Sequence, residues 1–337
     1  MSLLESRYLG LPLKSPLAAS SSPLTDSVDG ICRLEDHGLA AVVLPSLFEE
    51  QLELESVGLQ ADLSRGSNGF AEAASFLPEL ATYNLGPDHY LELIRRARER
   101  VEIPVIASLN GTSPGGWLDY ARLIEQAGAS ALELNLYAIE TDPLRTGVEI
   151  ETRQRDMVRM VREAVSVPLS VKLSPFYSSI ANVGCGLDDA GAQGLVMFNR
   201  FYQPDFDIVE REVVNTLALS HPSELLVRLH WTAILSGRVR ADLAITGGVH
   251  EAEDVVKCVM AGARVAFMAS ALLKHGTGHA RRVLAELADW LDEHEYASVE
   301  QMCGCMGYTA VPNPAAFERG NYMKILGSYT ARRDTQV

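Results

Sequence analysis

The stretch Gln126-Ala127-Gly128-Ala129-Ser130-Ala131-Leu132-Glu133-Leu134-Asn135 closes a helix-like segment on a glycine and passes at once into a short apolar run ending in a polar residue. Glycine just past a helix takes the left-handed conformation that closes it, and the short loop then feeds a buried strand. The same phrase occurs four times in all. Asp36-His37-Gly38-Leu39 leads into Ala41-Val42-Val43-Leu44, Asp189-Ala190-Gly191-Ala192 into Leu195-Val196-Met197-Phe198-Asn199, and Met260-Ala261-Gly262-Ala263 into Val265-Ala266-Phe267-Met268. Between these lie Pro16-Leu17-Ala18-Ala19-Ser20, Pro104-Val105-Ile106-Ala107-Ser108, Pro168-Leu169-Ser170-Val171-Lys172 and Asp242-Leu243-Ala244-Ile245-Thr246. A leading proline suits the first residue of a strand, where no ladder donor is lost. Taken together the two sets make eight strands, the number that closes a parallel barrel.

The segments between strands carry helical spacing, as in Tyr90, Ile94, Ala97 and Val101, or Ala252, Val255, Val256 and Val259. Each strand therefore reaches the next through a helix, which predicts a parallel sheet with right-handed crossovers. The fold expected is α/β, a (β/α)₈ TIM barrel with insertions at the carboxyl ends of the strands. Two stretches, residues 49–84 and 200–240, exceed a simple crossover, and insertions on that face cover a site or make a subunit contact. The last helix is expected over residues 285–293, followed from about residue 295 by an extension containing Pro312, Pro314 and Tyr329 that packs across the barrel. Residues 1–337 read as one domain, longer than the ~250 residues of a bare barrel.

Apolar residues at 47% and charged residues at 22% supply an ordinary buried core. A net charge of -15 repels nucleic acid and anionic lipid, so a small molecule is the expected partner. No signal peptide and no bilayer-length apolar run is visible. Cys32, Cys185, Cys258, Cys303 and Cys305 read as reduced thiols of a cytoplasmic protein, and Cys303 with Cys305 lacks the second pair or nearby His that a metal site would need.

In such a barrel the active site lies at the carboxyl ends of the strands. Those ends read Ser20, Ser46, Asn110, Asn135, Lys172, Asn199, Thr246-Gly247-Gly248 and Ser270, a polar ring with one cation. The turns Thr246-Gly247-Gly248 and Ala269-Ser270-Ala271 follow the last two strands, where barrels of this type bind phosphate through backbone N–H groups. Lys172, at the end of a buried strand, needs an anionic or electron-rich partner. Three uses are open to it: partner of a reduced flavin, Schiff-base nucleophile, or ion pair with Glu133.

At these residues the chain resembles the dihydroorotate dehydrogenases, particularly the class 1 type, over about residues 11–291. The matching phrases are Pro16-Leu17-Ala18-Ala19-Ser20-Ser21, Glu133-Leu134-Asn135-Leu136, Val171-Lys172-Leu173-Ser174-Pro175, Phe198-Asn199, Thr246-Gly247-Gly248-Val249 and Ala269-Ser270-Ala271-Leu272. The resemblance implies a single FMN-binding barrel and a place in pyrimidine biosynthesis. Ala19, Ser20, Asn135 and Lys172 would lie around the isoalloxazine, and Gly247, Gly248, Ala269 and Ser270 around the phosphate. Asn135 and Asn199 would hydrogen-bond a pyrimidine-like substrate, since an amide offers both donor and acceptor. A cation near the flavin N1/O2 edge eases hydride acceptance. A homodimer is a family expectation.

The chain also departs from the pattern. Where class 1 enzymes place Ser-Cys-Pro, with the cysteine as base, it reads Tyr137-Ala138-Ile139, and Ala138 cannot accept a proton. Pro45 stands where a second lysine is expected, and the Asn-rich loop is recognisable only around Asn84-Leu85-Gly86. Tyr137, with an unperturbed pKa of ~10, is the candidate substitute acid or base. The expectation is an FMN-dependent oxidoreductase acting on a CH–CH bond, with Lys172 and Tyr137 as catalytic residues and dihydroorotate, orotate or a related pyrimidine as substrate. The alternatives are a flavin-free aldolase or isomerase using Lys172, and a non-catalytic FMN-binding relative.

Overall fold

A computed structural model describes residues 3–49, 87–111, 117–200, 204–214 and 217–318. The first insertion beyond Glu49, the Asn84-Leu85-Gly86 loop and Tyr329 lie outside the described residues. A small antiparallel hairpin comes first, β1 (Ser6–Tyr8) with β2 (Leu11–Leu13). Strands β3 (Leu17–Ala19), β4 (Val42–Phe48), β5 (Val105–Asn110), β6 (Ala131–Asn135), β7 (Leu169–Lys172) and β8 (Gly194–Met197) follow in order around a barrel. A second hairpin, β9 (Asp205–Asp207) with β10 (Glu212–Val214), interrupts the pattern, and β11 (Asp242–Thr246) and β12 (Ala263–Met268) then close the ring of eight parallel strands.

The helices are α1 (Val28–Asp36), α2 (Pro87–Arg100), α3 (Trp117–Gln126), α4 (Gly147–Ala164), α5 (Ile180–Asp189), α6 (Leu225–Leu235), α7 (Ala252–Ala261), α8 (Ser270–His275), α9 (His279–Glu293) and α10 (Val299–Met302). The four glycines of the repeated phrase, Gly38, Gly128, Gly191 and Gly262, have φ of 91°, 94°, 104° and 110°, the left-handed closure that the pattern predicts. Two boundaries differ from the sequence expectation. Strand β4 runs past Pro45 to Phe48, and its pairing with β5 shifts register between Val43 and Ser46, because proline has no N–H to give the ladder. The last long helix begins at His279, six residues before the expected start, and its added turns bury His279, Ala280 and Val283.

Strand alternation sends one set of side chains inward and the other against the helices. Val43, Ile106, Ala131, Val196, Ala244, Val265 and Phe267 fill the interior. The first hairpin plugs the amino end of the barrel: Tyr8 and Leu9 are buried, the Tyr8 and Phe267 rings meet edge-on at 5.9 Å, and Leu9 N–H donates to Asp242 at 2.8 Å. With that end sealed, the carboxyl end is the open mouth. Outside, helices bury rows such as Tyr90, Ile94 and Ala97 of α2, each large apolar side chain contributing about 1.5–3 kcal/mol on transfer from water. The described part of the C-terminal extension lies along α6 and α7, with Gly304 N–H on Val259 O at 2.9 Å and Tyr308 N–H on Ala233 O at 2.8 Å. Among the described residues no helix is long and apolar enough to cross a membrane.

Candidate active site

Parallel register levels three polar strand ends, with Asn110 opposite Asn135 and Asn135 opposite Lys172. All three share the inward face, since Ile106 on β5 and Ala131 on β6 point into the barrel and the period is two. The Tyr90 hydroxyl holds β5 to α2 just below this level, accepting from Ser108 N–H at 2.8 Å and donating to Ser108 O at 3.3 Å.

Lys172 is the sharpest feature. Its Nζ lies 2.5 Å from Glu133 Oε1, with side-chain exposures of 8% and 2%, so of its three sequence-level uses the ion pair is the one seen. Such a pair meets the requirement that burial of a lone ammonium would violate. The field of Glu133 reaches its neighbours: burial first, then this carboxylate, raises the Tyr8 phenol well above its ordinary range, and burial with a smaller push from Glu133 raises Tyr90.

Asn135 and Asn199 come together across the mouth. Asn199 Nδ2 donates to Asn135 Oδ1, Asn135 Nδ2 donates to Ser46 Oγ at 3.3 Å, and Ser46 shares a 2.8 Å hydrogen bond with Ser108. Asn110 Nδ2 is buried in this layer and makes no hydrogen bond among the described residues. A native amide donor left so at a site mouth marks a place for an acceptor from a ligand.

The second set surrounds the glycine turn. Gly247 and Gly248 have φ of 91° and 80°, and a Cβ on Gly248 would stand 2.5 Å from Leu225 N. Ala19 and Ser20 sit at the same mouth with their N–H groups on Ala41 O and Met268 O, and Ser20 Oγ meets Thr246 Oγ1 at 3.1 Å. Ala269 and Ser270 open α8, whose first-turn N–H groups have no partner within the helix.

Three residues that sequence reading missed join this set. Ser220 N–H donates to Ser270 Oγ at 2.9 Å, and its hydroxyl accepts from Gly248 N–H at 3.3 Å while lying 3.3 Å from His250 Nε2. Burial lowers the His250 pKa. Arg228 braces the turn from below, with Nε on Thr246 O at 2.5 Å. No local pattern marks Ser220 or Arg228, which reach the turn from the second insertion and from α6.

Tyr137 is half-buried on the loop after β6, with its N–H on Asn135 O at 2.9 Å. Ala138 beside it lines a cavity of about 410 Å³ between the loops that follow β6 and β7. Two positive-φ glycines packed tightly on Leu225 and Arg228, a buried cation and an orphaned amide donor at one barrel mouth suit a phosphate-bearing group with a polar ring.

Fold and site together define a (β/α)₈ barrel enzyme with its chemistry at the carboxyl mouth. The model of the dihydroorotate dehydrogenase family matches residues 69–291. The catalytic subunit of dihydroorotate dehydrogenase B (NAD(+)) from Thermoplasma acidophilum is 26% identical over 309 residues, covering 90% of this chain and 99% of that protein. The Pyrococcus abyssi protein of the same name is 25% identical over 312 residues, covering 90% and 98%, and a putative dihydroorotate dehydrogenase A (fumarate) from Aeropyrum pernix is 27% identical over 221 residues, covering 63% and 71%. The chain belongs to the dihydroorotate dehydrogenase family and is an oxidoreductase.

Proposed function

We propose that the chain holds FMN at this mouth as a single-domain barrel and interconverts a CH–CH and a C=C bond of a pyrimidine-like ring, with dihydroorotate and orotate the first candidates. Bound FMN supplies the hydride acceptor or donor. Lys172 supplies positive charge next to it, tempered by Glu133, while Asn135 and Asn199 orient the ring through their amides. Backbone N–H groups of Gly247, Ala269 and Ser270 hold the phosphate, Gly248 shaping the turn while its own N–H donates to Ser220 Oγ, with Ala19 and Ser20 against the flavin. Ala138 offers no proton acceptor, so the proton falls to Tyr137, whose phenol suits donation in the direction of ring reduction.

The observation that carries this reading is the buried Lys172–Glu133 pair opening on the same mouth as the glycine turn. Family membership sets aside the flavin-free aldolase. The test is the visible spectrum of freshly purified protein and the identity of the chromophore released on denaturation. FMN near one per chain, bleached anaerobically by dihydroorotate and reoxidised by NAD⁺ or fumarate, is the expected result. A colourless protein that takes up no FMN would overturn the cofactor, and FMN reduced by no donor would leave the non-catalytic relative. A cytoplasmic homodimer completes the proposal, in keeping with five free thiols and read by light scattering.

A further inference from the structure

We propose that Glu224 is a positioning residue that ties the substrate amide of Asn199 to the glycine turn, an inference that rests on the flavin and pyrimidine reading above. Asn199 lies just past the end of β8, where its strand support is one-sided. Toward β7 its N–H donates to Leu173 O at 2.7 Å. Toward β11 the ladder ends, among the described residues, with Met197 opposite Ile245, one rung short of Thr246. Side chains bridge the next level.

Arg200, the residue after Asn199, presents two parallel donors to one carboxylate, with Nε on Glu224 Oε2 at 3.3 Å and Nη2 on Glu224 Oε1 at 3.2 Å. Such a planar two-point contact fixes direction as well as distance. On its other side Glu224 meets Arg228, whose Nη2 lies 3.9 Å from Oε2 and whose Nη1 donates to the Glu224 backbone O at 2.5 Å. Arg228 in turn donates to Thr246 O at 2.5 Å and lies so close over Gly247 that a Cβ there would stand 2.8 Å from its Nη2. Contact therefore runs from Asn199 through Arg200, Glu224 and Arg228 to the turn.

Glu224 is itself pinned. Its Oε1 accepts from His221 N–H at 2.9 Å, next to Ser220, which holds Gly248 N–H and Ser270 Oγ. Burial pushes the Glu224 pKa up, but the His221 N–H and the two guanidiniums outweigh it and hold the group below the ordinary carboxylate range. Removing its charge would leave two guanidiniums facing each other. Arg228, 6% exposed, keeps Thr246 O and the residue 224 carbonyl; Arg200, 26% exposed, is the one with room to swing into solvent. The turn should hold while Asn199 loses its orientation.

The test compares Glu224→Gln, Arg200→Gln and the double variant with the unsubstituted protein, all as purified and with FMN content measured. Hydrogen exchange reads the main chain, and calorimetry reads orotate affinity. In Glu224→Gln the peptide over residues 195–200 should exchange at least about threefold faster while that over residues 244–250 is unchanged. Each single variant should bind orotate roughly tenfold more weakly at full FMN content, and the double variant no more weakly than the worse single, because both groups act through one contact. Unchanged exchange over residues 195–200, singles whose losses multiply, or an affinity that falls only where FMN is lost would overturn the role of Glu224. Unsubstituted protein that holds FMN but binds no orotate would overturn the pyrimidine reading alone, and the exchange comparison then decides Glu224 without it.

Discussion

Replacing both members of the Lys172–Glu133 pair should destabilise the barrel by clearly less than the two single replacements added together. At 2.5 Å the gross attraction is roughly 7 kcal/mol at an effective dielectric of about 20, and the burial of both groups makes it depend on mutual satisfaction. Desolvation consumes much of that attraction, so the pair itself adds little net stability. Glu133→Gln leaves an ammonium, and Lys172→Met a carboxylate, in an interior with no alternative counterion among the described residues. Each single substitution should therefore cost about 3–5 kcal/mol. The double variant should cost less than the sum by at least about 2 kcal/mol, the scale of coupling between buried partners. Urea unfolding of all four proteins, stripped of flavin and again after reconstitution, reads the cycle. If Glu133→Gln costs under about 1 kcal/mol in both states, or if the two singles simply add, the groups are not coupled as described.

Gly248→Ala introduces a Cβ 2.5 Å from Leu225 N at a φ of 80°, so a loss of about 1–3 kcal/mol is expected in thermal unfolding, together with reduced FMN retention on gel filtration. Stability equal to wild type would show that the turn relaxes freely. Burial pushes the Tyr177 phenol up to about 12 against its ordinary 10. A raised pKa means that the folded state keeps its proton longer than the unfolded chain; the stabilisation is whole below pH ~10 and is lost as pH climbs to ~12. Tyr177→Phe should flatten the fall in stability between pH 9.5 and 11.5, and an unchanged slope would place this burden on other tyrosines.

Much of the barrel is legible in the chain because its cues are short-range. The helix–glycine–strand phrase occurs within ten residues, and the glycines at 38, 128, 191 and 262 each adopt the conformation that their position demands. The second strand is the exception: its end reads as Ser46 in the sequence, whereas β4 slips register around Pro45 and continues to Phe48. The strand-end polar residues could be named one by one, since alternation sets their face. Their contacts could not, because Asn135 meets Asn199 and Glu133 meets Lys172 only after neighbouring strands take register.

By itself the sequence determined the class of fold, the mouth at which chemistry belongs, the glycine turn and the single cation among the strand ends. Propensity, period and turn chemistry are local properties and survive in one dimension. The tertiary structure alone decided which of three uses Lys172 shows, that Ser220 and Arg228 brace the turn from distant segments, and that the loops beside Ala138 enclose an acidic, partly apolar cavity. Those depend on barrel closure, which brings together groups whose separation along the chain carries no trace of their meeting.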